Sequence, residues 1–182
     1  MANSLTVIAG PTAVGKGTVV RYIIEHFHDV HLSISATTRA PRPGEQHGRE
    51  YFFVSQEEFD RMISDGELLE WATVHGKHSY GTPRKPIESA LASGKQVILE
   101  IDLQGAKQVK KMMPDANLVF IAPPSWDELI NRLKGRGTES EAEMTVRLET
   151  AKAELAQQDL FDHIVINDEV ATCAQNIVQL MQ

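Results

Sequence analysis

A single cysteine, Cys173, rules out an internal disulfide. No apolar run is long enough to cross a bilayer, and the opening MANSLTVIAG lacks the basic segment and apolar stretch of an export signal. The expected location is the cytoplasm. Positive charge is scarce as well: 18 Lys and Arg against 25 Asp and Glu leave a formal net charge of -7. That excludes bulk attraction to nucleic acid or an anionic membrane, so any bound anion must be met by a local cluster of cations. Nothing calls for an obligate protein partner. Repeats and low-complexity segments are also missing, which leaves the order of elements as the guide to organisation.

What is present is ordinary globular material, 182 residues with 42% hydrophobic content, enough for one domain with small subdomains and a real core. Four short apolar runs, 5–9, 96–101, 117–122 and 163–167, lack clean alternation, as expected of strands covered on both faces. Each precedes a helical stretch. That order predicts an α/β fold with a central parallel sheet, helices on both sides and ligands at the carboxyl ends of the strands. Helix starts are signalled by capping boxes at Ser55/Glu58 and Ser125/Glu128, and by Pro83 as a first helical residue after Thr82. Residues 35–83 interrupt the pattern with a Pro-rich loop, TTRAPRPGE, and the segments YFFV and LLEWATV, which resemble antiparallel strands. These residues read as a mixed α/β insert. Gly135 and Gly137 flank Arg136 between two helical stretches, the pattern of a mobile helical lid. The expected division is a core of 1–34, 84–124 and 158–182, an insert of 35–83 and a lid region of 125–157.

The stretch GPTAVGKGT follows the first strand and opens a helix. Gly10, Pro11, Thr12, Ala13, Val14 and Gly15 can wrap backbone N–H groups around phosphates at the positive end of that helix, and Lys16 can reach the bridging oxygens. Gly17 stands where Ser or Thr usually follows the lysine and ligates Mg²⁺. The ion is then expected to be held mainly by phosphate oxygens and water, with Thr18 left for an inner phosphate.

Arg39, Arg42 and Arg49 lie in a stretch stiffened by Pro41 and Pro43. By charge alone this is either a solvated basic loop or a phosphate site. The whole string is more specific: GPTAVGKGT, SATTRAPRPGE, GREYFFV, LLEWATVHG with YGTP, LEIDLQGA, FIAPPS, RLKGRGTES and VIND stand in the order and approximate spacing of guanylate kinases. The chain resembles that family from about Leu5 to its C-terminus.

The resemblance implies a P-loop fold, Mg²⁺-dependent transfer of the γ-phosphoryl of ATP to GMP, and a role for each matched residue. ATP would sit on residues 10–18, with Arg132 beside it and Asn167 and Asp168 near the adenine. By themselves Asn167 and Asp168 signal only a turn or a helix N-cap. Arg39, Arg42, Tyr51 and Tyr80 would grip the GMP phosphate, for which the planar fork of arginine is suited. Ser35, Glu70 and Thr82 would read the guanine. A carboxylate at Glu70 can accept from both N1–H and the 2-amino group, which adenine does not offer, and such a site can reject the wrong base by roughly 10⁴-fold. Trp71 reads as core packing. Lys16, Arg42, Arg136 and Arg147 would stabilise the transferring phosphoryl. Asp102 could hold a Mg²⁺-bound water, contact GMP or cap a helix. Other readings of the chain are a kinase for a different nucleoside monophosphate and a related domain that has lost catalysis and binds proteins. The seven histidines lack the partner spacing of a zinc site, and Cys173 reads as packed.

Overall fold

The strand at Leu5–Ala9 (β1) is buried at every residue, and the reason is visible on either side of it. Leu5, Val7 and Ala9 join one apolar cluster and Ile8 another, so alternate side chains feed cores on opposite faces of the sheet. The same division splits Asn117–Ala122 (β8): Val119 and Ile121 face one way, Leu118, Phe120 and Ala122 the other. A doubly covered strand has no polar side, which is why these runs show no alternation. Each fully buried Ile, Leu or Phe contributes about 1.5–3 kcal/mol.

The computed structural model describes residues 5–74, 77–135 and 141–182. The remaining strands of the main sheet are Val30–Leu32 (β2), Gln96–Glu100 (β7) and His163–Ile166 (β9). They give the order β2-β7-β1-β8-β9, with every pairing parallel. Helices Lys16–His26 (α1), Trp126–Lys134 (α5), Glu141–Leu155 (α6) and Val170–Leu180 (α7) pack on one face. Arg84–Ala92 (α3) and Leu103–Met112 (α4) pack on the other.

A second sheet is built from Ala36–Thr37 (β3), Phe52–Phe53 (β4), Leu68–Val74 (β5) and His78–Pro83 (β6), in the order β4-β3-β6-β5. Helix Gln56–Ser64 (α2) closes it over a small core of Ala36, Phe59 and Leu68. The capping signals act where the sequence puts them: Ser55 Oγ accepts from Glu58 N–H and Ser125 Oγ from Glu128 N–H, each at 3.1 Å.

Several expectations need correction. The main sheet has a fifth strand, β2, whose short edge segment around His31 carries no apolar run to announce it. The 96–101 and 163–167 runs each stop one residue early, at Glu100 and Ile166. YFFV does not pair antiparallel: Phe52 and Phe53 run parallel to Ala36 and Thr37. Pro83 closes β6, paired with Leu68 in extended backbone at ψ 128°, so α3 starts at Arg84 and Pro83 is not its first helical residue. Trp71 is 42% exposed, not core, since alternation along β5 turns Glu70 inward and its neighbour out.

Candidate active site

The loop after β1 forms a cleft of about 310 Å³ whose lining includes Thr12, Ala13, Lys16, Thr18, Arg21 and Glu100. Its curvature is imposed by the backbone. Ala13 sits at φ 63°, a left-handed conformation that costs an alanine energy. Gly15 sits at φ 95°, where a Cβ would come 2.7 Å from Asn167 Nδ2. Lys16 Nζ folds back onto the loop, donating to the Gly10 carbonyl at 2.6 Å and the Pro11 carbonyl at 3.2 Å. Thr18 is exposed in the first turn of α1.

The outer side of the loop is braced. Val14 carbonyl accepts from Asn167 Nδ2 at 2.8 Å and from Arg132 Nη1 at 3.3 Å. Arg132 Nη1 also donates to the Asn167 carbonyl at 3.0 Å, and its Nε donates to Glu128 Oε1 at 2.9 Å. Asn167 is buried and is neither turn nor cap here; Glu169 is the N-cap of α7. Asp168 is exposed beside it.

Two carboxylates reach toward Lys16 that the sequence reading did not single out. Glu100, at the end of β7, is solvent-accessible, yet the cleft walls raise its carboxyl above the usual range while Lys16 opposes the shift. Glu154 of α6 accepts from Thr12 N–H at 3.3 Å, and burial likewise raises it against the pull of Lys16. Glu100 stands in the quoted string LEID and could have been found there. Glu154 has no local signal, because it reaches the loop across 142 residues of chain.

In the insert, Arg39 Nη2 donates to both oxygens of Glu45, at 2.9 and 3.0 Å, and Nη1 to the Ala40 carbonyl at 2.8 Å. Glu45 Oε2 also accepts from Arg42 N–H at 2.7 Å, and the two arginine donors hold its carboxyl below the usual range. The guanidinium lies 5.4 Å from the Tyr51 ring centroid, and Tyr51 meets Tyr80 edge-on at 5.9 Å. The Arg42 side chain is exposed in the same loop, and Ser35 is half-buried before β3.

Glu70 is 7% exposed and accepts from Thr82 Oγ1 at 2.6 Å. Among the described residues it forms no salt bridge. Desolvation pushes its carboxyl up to about 6; the Thr82 hydroxyl opposes this and Asp102 adds to it. Asp102 caps α4, its Oδ1 accepting from Gly105 N–H at 2.7 Å. Arg147 is half-buried on α6, and Arg136 lies outside the described residues. Helix α5 ends at Lys134 with Gly135 as its C-cap.

The loop after β1 thus lies at the carboxyl end of the parallel sheet, and the insert carries a forked arginine and a buried carboxylate. The family model described as guanylate kinase matches residues 2–182. The chain belongs to the guanylate kinase family. It is 61% identical to the guanylate kinase of Leifsonia xyli subsp. xyli over 97% of this chain and 70% of that protein. It is 56% identical to that of Nocardia farcinica over 97% and 92%. The crystal structure of guanylate kinase from Anaplasma phagocytophilum matches 99% of this chain and 85% of its own with a TM-score of 0.76 at 32% identity. Shikimate kinase from Bacteroides thetaiotaomicron, 14% identical with a TM-score of 0.52, shares the fold alone. The chain is therefore a nucleoside monophosphate kinase of the guanylate kinase family, and no described helix is long and apolar enough to cross a membrane.

Proposed function

We propose that this chain transfers the γ-phosphoryl group of ATP to GMP, giving ADP and GDP, as part of GMP recycling. The observation that carries the choice of base is Glu70, a buried carboxylate without a cationic partner among the described residues. Such a group is costly until it meets donors, and guanine supplies two on one edge, N1–H and the 2-amino group. Thr82, already bonded to Glu70, and Ser35 at the start of the insert complete the guanine side.

Arg39, Arg42, Tyr51 and Tyr80 hold the GMP phosphate, with Asp102 at the boundary between insert and core. Residues 10–18 cradle the ATP phosphates, and Arg132, Asn167 and Asp168 border the adenine side. Lys16, Arg42, Arg136 and Arg147 neutralise charge on the transferring oxygens; positioning and electrostatics suffice for the reaction, and no covalent intermediate is needed. Residues 35–83 act as the GMP subdomain and 125–157 as the lid, which keeps water from the transferring group.

The residues around the loop fit Mg²⁺ bound with ATP. A Cβ on Gly17 would lie 3.6 Å from Glu100 Oε1 and 3.8 Å from Oε2, so a carboxylate faces the spot where a hydroxyl usually follows the lysine. Glu100 would hold the ion through water, with phosphate oxygens supplying most ligands. When bound, the metal would draw charge from the β and γ oxygens.

ADP release measured with ATP and each of GMP, AMP, CMP and dTMP tests the proposal. GMP is expected to be used best, and a preference for AMP overturns the base assignment.

A further inference from the structure

Glu70 is held by a helix of the core as well as by its own sheet, and we propose that Gly105 and Gln108 of α4 are positioning residues for base selection by that carboxylate. The inference rests on the reading of Glu70 as the guanine acceptor and extends it to two residues that act through it.

Strand β5 is the edge of its sheet, paired with β6 on one side only. On the other side, Trp71 N–H donates to Gln108 Oε1 at 3.2 Å, and Gln108 Nε2 donates back to the Trp71 carbonyl at 3.1 Å. One side-chain amide thus satisfies both outward backbone groups of an edge residue, as a neighbouring strand would. The residue so anchored is the one after Glu70, which fixes the backbone from which the carboxylate projects.

One turn earlier on the same face of α4, Gly105 meets the carboxylate itself. A Cβ there would lie 3.0 Å from Glu70 Oε2, 3.2 Å from Ile101 Cδ1 and 3.3 Å from Asp102 Oδ1. Glycine within a helix is disfavoured relative to alanine, and here the close approach of Glu70 accounts for it. Asp102 caps the same turn through Gly105 N–H, so the helix end beneath the carboxylate is itself fixed. Oε1 is held by the Thr82 hydroxyl and Oε2 rests against Gly105, while Gln108 pins the adjoining peptide. A carboxylate confined in this way can present both oxygens to N1–H and the 2-amino group at once, a match that small displacements spoil.

The test compares GMP with IMP, which keeps N1–H but lacks the 2-amino group. Steady-state kinetics with each acceptor are measured on the full chain and on Gly105→Ala and Gln108→Leu. The ratio of kcat/KM for GMP over IMP is expected to fall about tenfold in each variant, through KM for GMP, with KM for ATP unchanged. Alanine favours the helix while its Cβ displaces Glu70 Oε2, and the two effects oppose, so Gly105→Ala is expected to melt within about 5 °C of the parent and carries the test if Gln108→Leu folds poorly. On a Glu70→Gln background neither substitution is expected to change the ratio further. An unchanged ratio in Gly105→Ala, or equal losses for ATP and GMP, overturns the proposal. A parent enzyme that does not prefer GMP over AMP would instead remove the reading of Glu70 on which it rests.

Discussion

Glu154 Oε2 accepts a hydrogen bond from Thr12 N–H at 3.3 Å, so a carboxylate of α6 lies against the phosphate loop itself. Lys16 is near enough to stabilise its charge, which burial otherwise penalises. A triphosphate brings further negative charge into the same loop. Glu154→Gln keeps an acceptor for Thr12 and removes the repulsion, so KM for ATP is expected to fall about threefold, with KM for GMP unchanged. Glu154→Ala removes the acceptor too and is expected to raise KM for ATP. Initial-rate kinetics separate the cases; a rise in both variants would mean that Glu154 only braces the loop.

The raised carboxyl of Glu70 predicts opposite trends for binding and for stability. Its pKa moves from 4.5 to about 6 on folding. Between those values the folded chain retains a proton that the unfolded chain has released, so stability falls as pH rises through this window. The full cost, about 2 kcal/mol, is present above pH 6 and absent below 4.5. Glu70→Gln is therefore expected to melt a few degrees higher than the parent at pH 7.5 and at the same temperature at pH 4.5. On the proposed reading of Glu70, GMP binds to the carboxylate form, so its KM in the parent is expected to rise as pH drops below about 6. The variant is expected to lose that inflection, with a loss of GMP use of about 10²-fold and little change in KM for ATP. Calorimetry and pH-dependent kinetics check the two halves independently.

Arg39 donates from one nitrogen to both oxygens of Glu45 and from another to the Ala40 carbonyl, and Glu45 also takes Arg42 N–H. These bonds, with a further side-chain hydrogen bond to Tyr80, hold the guanidinium of the proposed phosphate clamp in place. Arg39→Lys loses the planar fork and is expected to raise KM for GMP more than tenfold. Glu45→Ala frees the fork but loosens the loop, and a rise of about threefold to tenfold is expected. Both leave KM for ATP unchanged; a lower KM for GMP in Glu45→Ala would mean that Glu45 competes with the phosphate rather than orienting its clamp.

The central sheet was legible because β1, β7 and β8 are covered on both faces, which leaves apolar runs such as LTVIA and NLVFIA; β9 departs from that expectation, since Ile164 and Ile166 are exposed at the sheet edge. β2 escaped because three residues around His31 at a sheet edge need no such run. Trp71 reads as core from its hydrophobicity, which does not say which way a strand turns, and the burial of Glu70 sends it outward. Local signals found Ser55 and Ser125, whose capping partners are three residues on, and the phosphate loop, whose own residues are consecutive. Glu154, Gln108 and Asn167 act on residues 142, 37 and 153 positions away, and only the folded chain brings them together.

Asn167 supplies the last prediction. Its Nδ2 donates to the Val14 carbonyl at 2.8 Å, and its own carbonyl accepts from Arg132 Nη1, which also reaches Val14. The phosphate loop is thereby tied both to the end of β9 and to α5, the first helix of residues 125–157 proposed as the lid. Asn167→Ala removes a buried donor and leaves the Val14 carbonyl to Arg132 alone, at the longer distance of 3.3 Å. A buried acceptor losing a partner costs about 1–3 kcal/mol, so a drop in unfolding free energy of that size is expected from urea titration. A general loss of stability would not discriminate between substrates, whereas slackening of the loop at Val14 would. KM for ATP is expected to rise about tenfold with KM for GMP within twofold of the parent. If both rise together, the Asn167 bond supports the fold as a whole rather than the geometry of the phosphate loop.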